Sequence, residues 1–192
     1  MKELGEAILK WGKGLGNDIV KVDMFLNHRI DTGLMFRMGE EIAAHFADER
    51  PMTVLTVEAS GIALALTAAH ALGDLPVVFA KKSGTVVQDD ETAQAKVYSF
   101  THKTESTIRV EKRYLPIHSR VLIVDDFLAD GQAALGMIEI CRQLDCPVCG
   151  VAVGIEKGFQ PGGRMLREKG IHVLSLAVVE KIENGTIRLR DD

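Results

Sequence analysis

A chain of 192 residues that is 46% hydrophobic can bury a core and lies within the usual range for one domain, so a single unit over residues 1–192 is expected. Its 23 Lys and Arg against 27 Asp and Glu leave a net charge of −4, which gives no overall positive field for nucleic acid and leaves room only for a local anion pocket. The opening MKELGEAILKWGKGLG interrupts its short apolar run with Lys10, Lys13 and glycines, unlike a signal peptide, and no later run is long enough to span a bilayer, so a cytoplasmic protein is expected.

Over residues 31–50, Leu34, Met35, Met38, Ile42 and Phe46 recur at three- and four-residue steps, one face of an amphipathic helix that Asp31 or Thr32 can cap. TVLTV (53–57) is a β-branched strand, EASG a small-residue turn and IALALTAAHAL a helix. Pro76 then precedes the strand VVFA, and the two strands with their helix make a parallel crossover. A polar stretch from Lys82 to Lys96 reads as a mobile lid feeding an antiparallel hairpin through KVYSF and STIRVEKRYL. The parallel pattern resumes with strand RVLIVDD, a helix through GMIEICRQL, strand VCGVAVGI, a short basic helix near Arg164 to Lys169 and strand HVLSLAVV. The tally is an α/β fold, a doubly wound, mostly parallel sheet flanked by helices.

Three cysteines, an odd number, fit a reducing compartment better than a disulfide framework. Cys146 and Cys149 form a C-x-x-C pair, but no second pair or His set completes a zinc site, so they read as ordinary thiols, with Cys149 packing under a strand. The six histidines show no metal-binding spacing and read as structural or exposed.

Chemistry concentrates in VLIVDDFLADGQAA (121–134): a buried strand, two acids at its carboxyl end, a Gly-bearing loop and a helix start. A loop entering a helix offers free N–H groups and the positive end of the helix dipole, which suits a phosphate, and Gly131 permits close approach. Asp125 and Asp126 beside it suit sugar hydroxyls or Mg²⁺. On spacing alone, two acids that merely end a strand in solvent explain the pattern equally. Neither G-x-G-x-x-G nor a Walker lysine motif is present, so the common dinucleotide and P-loop readings lose support.

This segment resembles the phosphoribosyl-pyrophosphate-binding motif of type I phosphoribosyltransferases. VKVDMFLNHRID, VEASGIA, VYSFT and IEKGFQPGG resemble, more narrowly, the xanthine-using members, and together these strings span nearly the whole chain. The resemblance implies a type I fold with a lid and a small hood built from the N- and C-terminal segments. It also implies transfer of a phosphoribosyl group to xanthine, with Mg²⁺ carried mainly by the donor's pyrophosphate, in a homodimer. By the same resemblance, Ala129, Asp130, Gly131, Gln132 and Ala133 would wrap the 5-phosphate, and Asp125 and Asp126 would be the catalytic acids facing the ribose. Glu58, Ala59, Ser60 and Gly61 would form the pyrophosphate loop, and Lys81, Lys82 and Tyr98, at the edges of the lid, would touch the pyrophosphate. Lys157 would donate to a purine carbonyl, Phe159 would cover the ring, and Val20 and Asn27 would close the base site.

Each role has a plainer competitor. Ser60 and Gly61 can simply cap the next helix, Lys157 can be a solvated strand-end cation, Phe159 and Val20 can be core, and Asn27 a turn cap. Two positions depart from the pattern. Ala129 stands where hypoxanthine-guanine relatives carry an acid that accepts a ring proton, which fits xanthine, the most acidic common purine. Asp130 puts negative charge where relatives carry Thr, Ser or Asn. A hypoxanthine/guanine or adenine transferase, or a non-catalytic regulator that binds the same donor, are the alternatives. The regulator needs a DNA-binding domain, and little sequence precedes the first long helix.

Overall fold

The computed structural model describes residues 1–83, 91–99 and 104–190. Helix α1 (Lys2–Trp11) and the short strands β1 (Lys13–Leu15) and β2 (Ile19–Lys21) lead into a π-helical turn, Asp23–Asn27. Helix α2 (Thr32–Phe46) follows, capped by Asp31, whose carboxylate accepts from Leu34 N–H. Strand β3 (Thr53–Val57), helix α3 (Gly61–Ala71) and strand β4 (Val77–Ser83) form the first parallel crossover. The antiparallel strands β5 (Thr92–Ser99) and β6 (Thr104–Glu111) come next. Then follow β7 (Val121–Leu128), α4 (Gln132–Gln143), β8 (Val148–Lys157), α5 (Gly162–Glu168), β9 (Val173–Glu183) and β10 (Thr186–Leu189).

Eight strands form one sheet in the order β10-β9-β8-β7-β3-β4-β6-β5. Its central pairings, from β9 through β4, are parallel, and both flanks are antiparallel. Buried side chains from opposite pleats feed two apolar cores. One gathers α1, α2 and α3 around Phe25, Met38, Phe46 and Leu122; the other gathers α4 and the hairpin around Leu55, Ile108, Met137 and Val153. The α/β reading is borne out, with an N-terminal helix, a two-stranded sheet and a last strand that the sequence periodicity had not separated.

Of the stretch expected as a lid over Lys82 to Lys96, both ends belong to strands, because β4 runs through Ser83 and β5 begins at Thr92. Residues 84–90 lie outside the described residues. β7 also runs two residues further than RVLIVDD, because β8 is long enough to pair with it as far as Leu128 opposite Glu156. The two acids therefore lie within the strand and are buried, rather than ending it in solvent.

The N-terminal segment wraps onto the C-terminal strands. The amino group of Met1 donates to Leu176 O at 2.6 Å, and Gly14 N–H donates to Gly185 O at 3.1 Å. A Cβ on Gly14 would lie 2.3 Å from Ile182 Cγ2, so only glycine lets β1 lie this close to β9. At the opposite end of the sheet, the imidazoles of His45 and His172 meet Nε2 to Nε2 at 2.8 Å beside Phe46. His102 lies outside the described residues. The cysteines are free thiols, and burial pushes Cys141 up to about 12. No described helix is long and apolar enough to cross a membrane.

Candidate active site

From β3 the chain crosses to β4 on one side, and from β7 it crosses to β8 on the other, so the β3–β7 junction is where connections diverge. In parallel sheets that junction leaves a crevice at the carboxyl ends of the strands. Four segments converge there.

After β3, the chain turns through Glu58, Ala59 and Ser60, with a cis peptide between Glu58 and Ala59. Glu58 is tied back to β4, its carboxylate accepting from Lys82 N–H at 2.7 Å. Ser60 stands at the N-cap of α3 yet makes no side-chain bond to it, so the simple capping role is not taken and the first-turn N–H groups receive no side-chain cap. Gly61 is needed for contact: a Cβ there would lie 2.4 Å from Thr56 Oγ1 and 2.5 Å from Asp125 Oδ1. The turn after β3 thus abuts the acid on β7. Thr56 Oγ1 is the one buried side-chain polar atom without a hydrogen-bond partner among the described residues.

This contact is testable. Gly61→Ala should cost about 1–3 kcal/mol, the usual penalty for overpacking, and lower the melting temperature by several degrees. Calorimetry measures the change. A wild-type melting temperature would refute the close approach.

On β7, Asp126 N–H donates to Asp125 Oδ1 at 2.9 Å, and Asn27 Nδ2 donates to Asp126 Oδ2 at 3.3 Å. Asn27 therefore reaches the acid pair from the end of the π-helical turn. Burial, followed by the neighbouring Asp126 charge, pushes the Asp125 carboxyl well above the usual aspartate range, while Lys82 pulls it down. Alternation along β4 separates the two lysines that the sequence grouped. Lys81 lines a cavity with Phe79, Glu91, Arg109 and Tyr114, whereas the Lys82 charge reaches Asp125. Tyr98 lies on β5, at the far edge of the sheet.

The loop between β7 and α4 is Ala129, Asp130 and Gly131, with Gln132 and Ala133 opening the helix. Gly131 has φ +85°, a left-handed conformation that favours glycine. Asp130 Oδ1 accepts from Gln132 N–H at 3.0 Å, and Ala129 O accepts from Gly162 N–H at 3.0 Å.

Lys157 ends β8 and is half-buried. Its ammonium donates to Asp18 O at 2.8 Å, in the turn between β1 and β2, and sits 5.8 Å from the centre of the Phe127 ring. Burial pushes this amine below the usual lysine range, and the charges of Asp18 and then Asp130 partly offset that. An ammonium has three N–H donors, so two stay available to a ligand. Phe159, in the following turn, keeps 36% of its surface exposed rather than joining the core. Val20 does join it: its side chain is buried in the apolar cluster beneath the N-terminal strands.

The residue overlooked beside Lys157 is Glu156. It is buried and accepts from Arg167 Nη1 and Nη2 at 3.0 and 2.7 Å, with Ser175 Oγ as a third donor. Burial pushes its carboxyl up, but the Arg167 and Ser175 hydrogen bonds outweigh this and hold it below the usual glutamate range. The pair ties β8 to α5 beneath the turn that bears Phe159. An acid closing the apolar run VAVGI, a few residues before a basic helix, was the available signal.

Residues 27–181 match the phosphoribosyl transferase domain family. The chain belongs to the phosphoribosyltransferase family. A xanthine phosphoribosyltransferase from Geobacillus thermodenitrificans is 48% identical over 192 residues, covering 100% of this chain and 98% of that protein. One from Clostridioides difficile is 45% identical over 190 residues, covering 99% and 100%. Among solved structures, an adenine phosphoribosyltransferase from Rhodothermus marinus aligns with TM-score 0.74 at 21% identity, over 93% of this chain and 100% of that one. The Giardia lamblia enzyme complexed with 9-deazaadenine aligns with TM-score 0.67 at 25% identity, over 77% and 80%. The type I phosphoribosyltransferase fold expected from the sequence is borne out.

Proposed function

We propose that the chain converts xanthine and 5-phosphoribosyl 1-pyrophosphate to xanthosine 5′-monophosphate and pyrophosphate, with roles for its residues as follows. The observation that supports this best is the convergence of two helix starts on a buried acid pair, with Lys157 at the end of the adjacent strand β8. Helix starts suit the two phosphate ends of the donor. The choice of xanthine rests on whole-chain similarity to proteins of that name, 48% and 45% identical.

In this reading, the N–H groups at the start of α4 hold the 5-phosphate and those at the start of α3 hold the pyrophosphate. Asp125 and Asp126 accept from the ribose hydroxyls and face positive charge that develops at the anomeric carbon. Lys157 donates to a purine carbonyl, and Phe159 lies over the ring. Catalysis is then mainly positioning and electrostatics. The acid pair fits a nearby hard cation, since its carboxylate oxygens are the ligands that Mg²⁺ takes. Mg²⁺ bound with the donor would offset the charge of the departing pyrophosphate. A homodimer in the cytoplasm belongs to the same reading, and analytical ultracentrifugation tests the assembly.

The deciding experiment is a panel of xanthine, hypoxanthine, guanine and adenine with phosphoribosyl pyrophosphate and Mg²⁺. Nucleotide should form fastest from xanthine. Preference for another base would overturn the substrate, and no product from any base would overturn the reaction.

A further inference from the structure

Asp130 carries the only charged side chain in the segment Ala129–Asp130–Gly131–Gln132–Ala133. Its carboxylate lies against the start of α4, accepting the Gln132 N–H at 3.0 Å. That N–H is one of the donors that a helix start leaves free for an anion. An anion supplied by the chain itself therefore stands where the proposed 5-phosphate would be held.

The backbone of the loop is fixed where it meets α5. A Cβ on Gly162 would lie 2.5 Å from Ala129 O and 2.6 Å from Gly131 N, and one on Gly131 would lie 3.0 Å from Gly162 Cα. The loop and the start of α5 are thus packed backbone to backbone. Lys157 is a nearby cation whose ammonium donates to Asp18 O at 2.8 Å and also feels the Asp130 charge, so it offsets that charge only in part. The carboxylate faces the helix start.

We propose that Asp130 is an internal competitor for the 5-phosphate, lowering the affinity of every ligand that reaches α4 through a phosphate and so helping the product nucleotide to leave. The proposal rests on the assignment of the α4 start to the 5-phosphate. The donor tolerates this competition because its pyrophosphate provides a second anchor at α3. Once that pyrophosphate is gone, the nucleotide keeps the contested phosphate contact and loses the other. Its release is correspondingly faster.

The probes are ribose 5-phosphate, which tests the contested subsite alone, and phosphoribosyl pyrophosphate. Asp130→Asn removes the charge and keeps an acceptor for Gln132 N–H, so the loop is retained; Asp130→Ala removes both. By calorimetric titration, both variants should bind ribose 5-phosphate about tenfold more tightly at low ionic strength. The gain should shrink at high salt, because partly exposed charges are screened. A merely structural role for Asp130 would not produce that salt dependence. Unchanged or weaker binding in Asp130→Asn, with wild type turning over normally, overturns the competitor and leaves the function standing. Failure of folded wild type to bind either probe overturns the site assignment and the competitor with it.

Discussion

Replacing both acids, Asp125→Asn with Asp126→Asn, is expected to lower turnover by on the order of 10²–10³-fold or more while leaving the fold intact or firmer. Removing one preorganised charged or hydrogen-bonding group from a developing charge typically costs that much, and here two go together. The stability half follows from Asp125. Its carboxyl is held well above the usual aspartate range, first by burial and then by Asp126. A carboxyl whose folded pKa is raised contributes stability below its unfolded pKa and loses it as pH rises through the folded value. Wild type therefore loses stability as the pH rises from the unfolded towards the folded value, and an amide does not. Asparagine can still accept the Asp126 N–H at the Asp125 position. Asp125→Asn alone should melt higher than wild type at pH 8, with the gap closing at acid pH. Near-normal turnover in the double variant would remove the acid pair from the site, and an equal gap at both pH values would refute the account of its burial.

Lys157→Ala should raise the Michaelis constant for xanthine by about one to two decades and leave that for phosphoribosyl pyrophosphate nearly unchanged. A charge-assisted hydrogen bond is worth roughly 1.5–3 kcal/mol, which converts to that range. Among the described residues one of the three ammonium donors is engaged, with Asp18 O, so the loss falls on the ligand rather than on a crowded network. Because burial lowers the lysine pKa, xanthine binding in wild type should weaken at a pH below the ordinary lysine range. The variant should lack this component. Steady-state kinetics with each substrate varied in turn give both constants. A change confined to the donor constant would assign Lys157 to the pyrophosphate side instead.

Local pattern carried much of the fold and of the phosphate loops. TVLTV could only be a short strand, because five residues rich in β-branched side chains bounded by turn residues are too few for a helix and suit a pleat; it is β3 over those same residues. Gly131 could be singled out because a strand-to-helix loop needs a residue free to take positive φ. Likewise VLIVDDFLADG announced two acids at the end of an apolar strand beside a loop, since apolar run, charge and glycine all lie within one short window.

What pattern could not decide was every relation between distant segments. Asn27 meets Asp126 across 99 positions, and Lys157 meets Asp18 across 139. Which of Lys81 and Lys82 faces the acids follows from the pleat of β4 in the assembled sheet, since the two are chemically equal in sequence. Whether Asp125 and Asp126 end in solvent or stay buried depended on how far β8 continues beside β7, and that is set by the length of the neighbouring strand. Glu156 is the sharpest case: as a charge closing an apolar run it reads as a strand end, and only the packing of α5 and β9 supplies the Arg167 and Ser175 donors that let a carboxylate stay buried. Periodicity records which face of an element is apolar. The partner that satisfies a buried polar group is chosen by tertiary packing, because desolvation and hydrogen bonding are settled only when the elements meet.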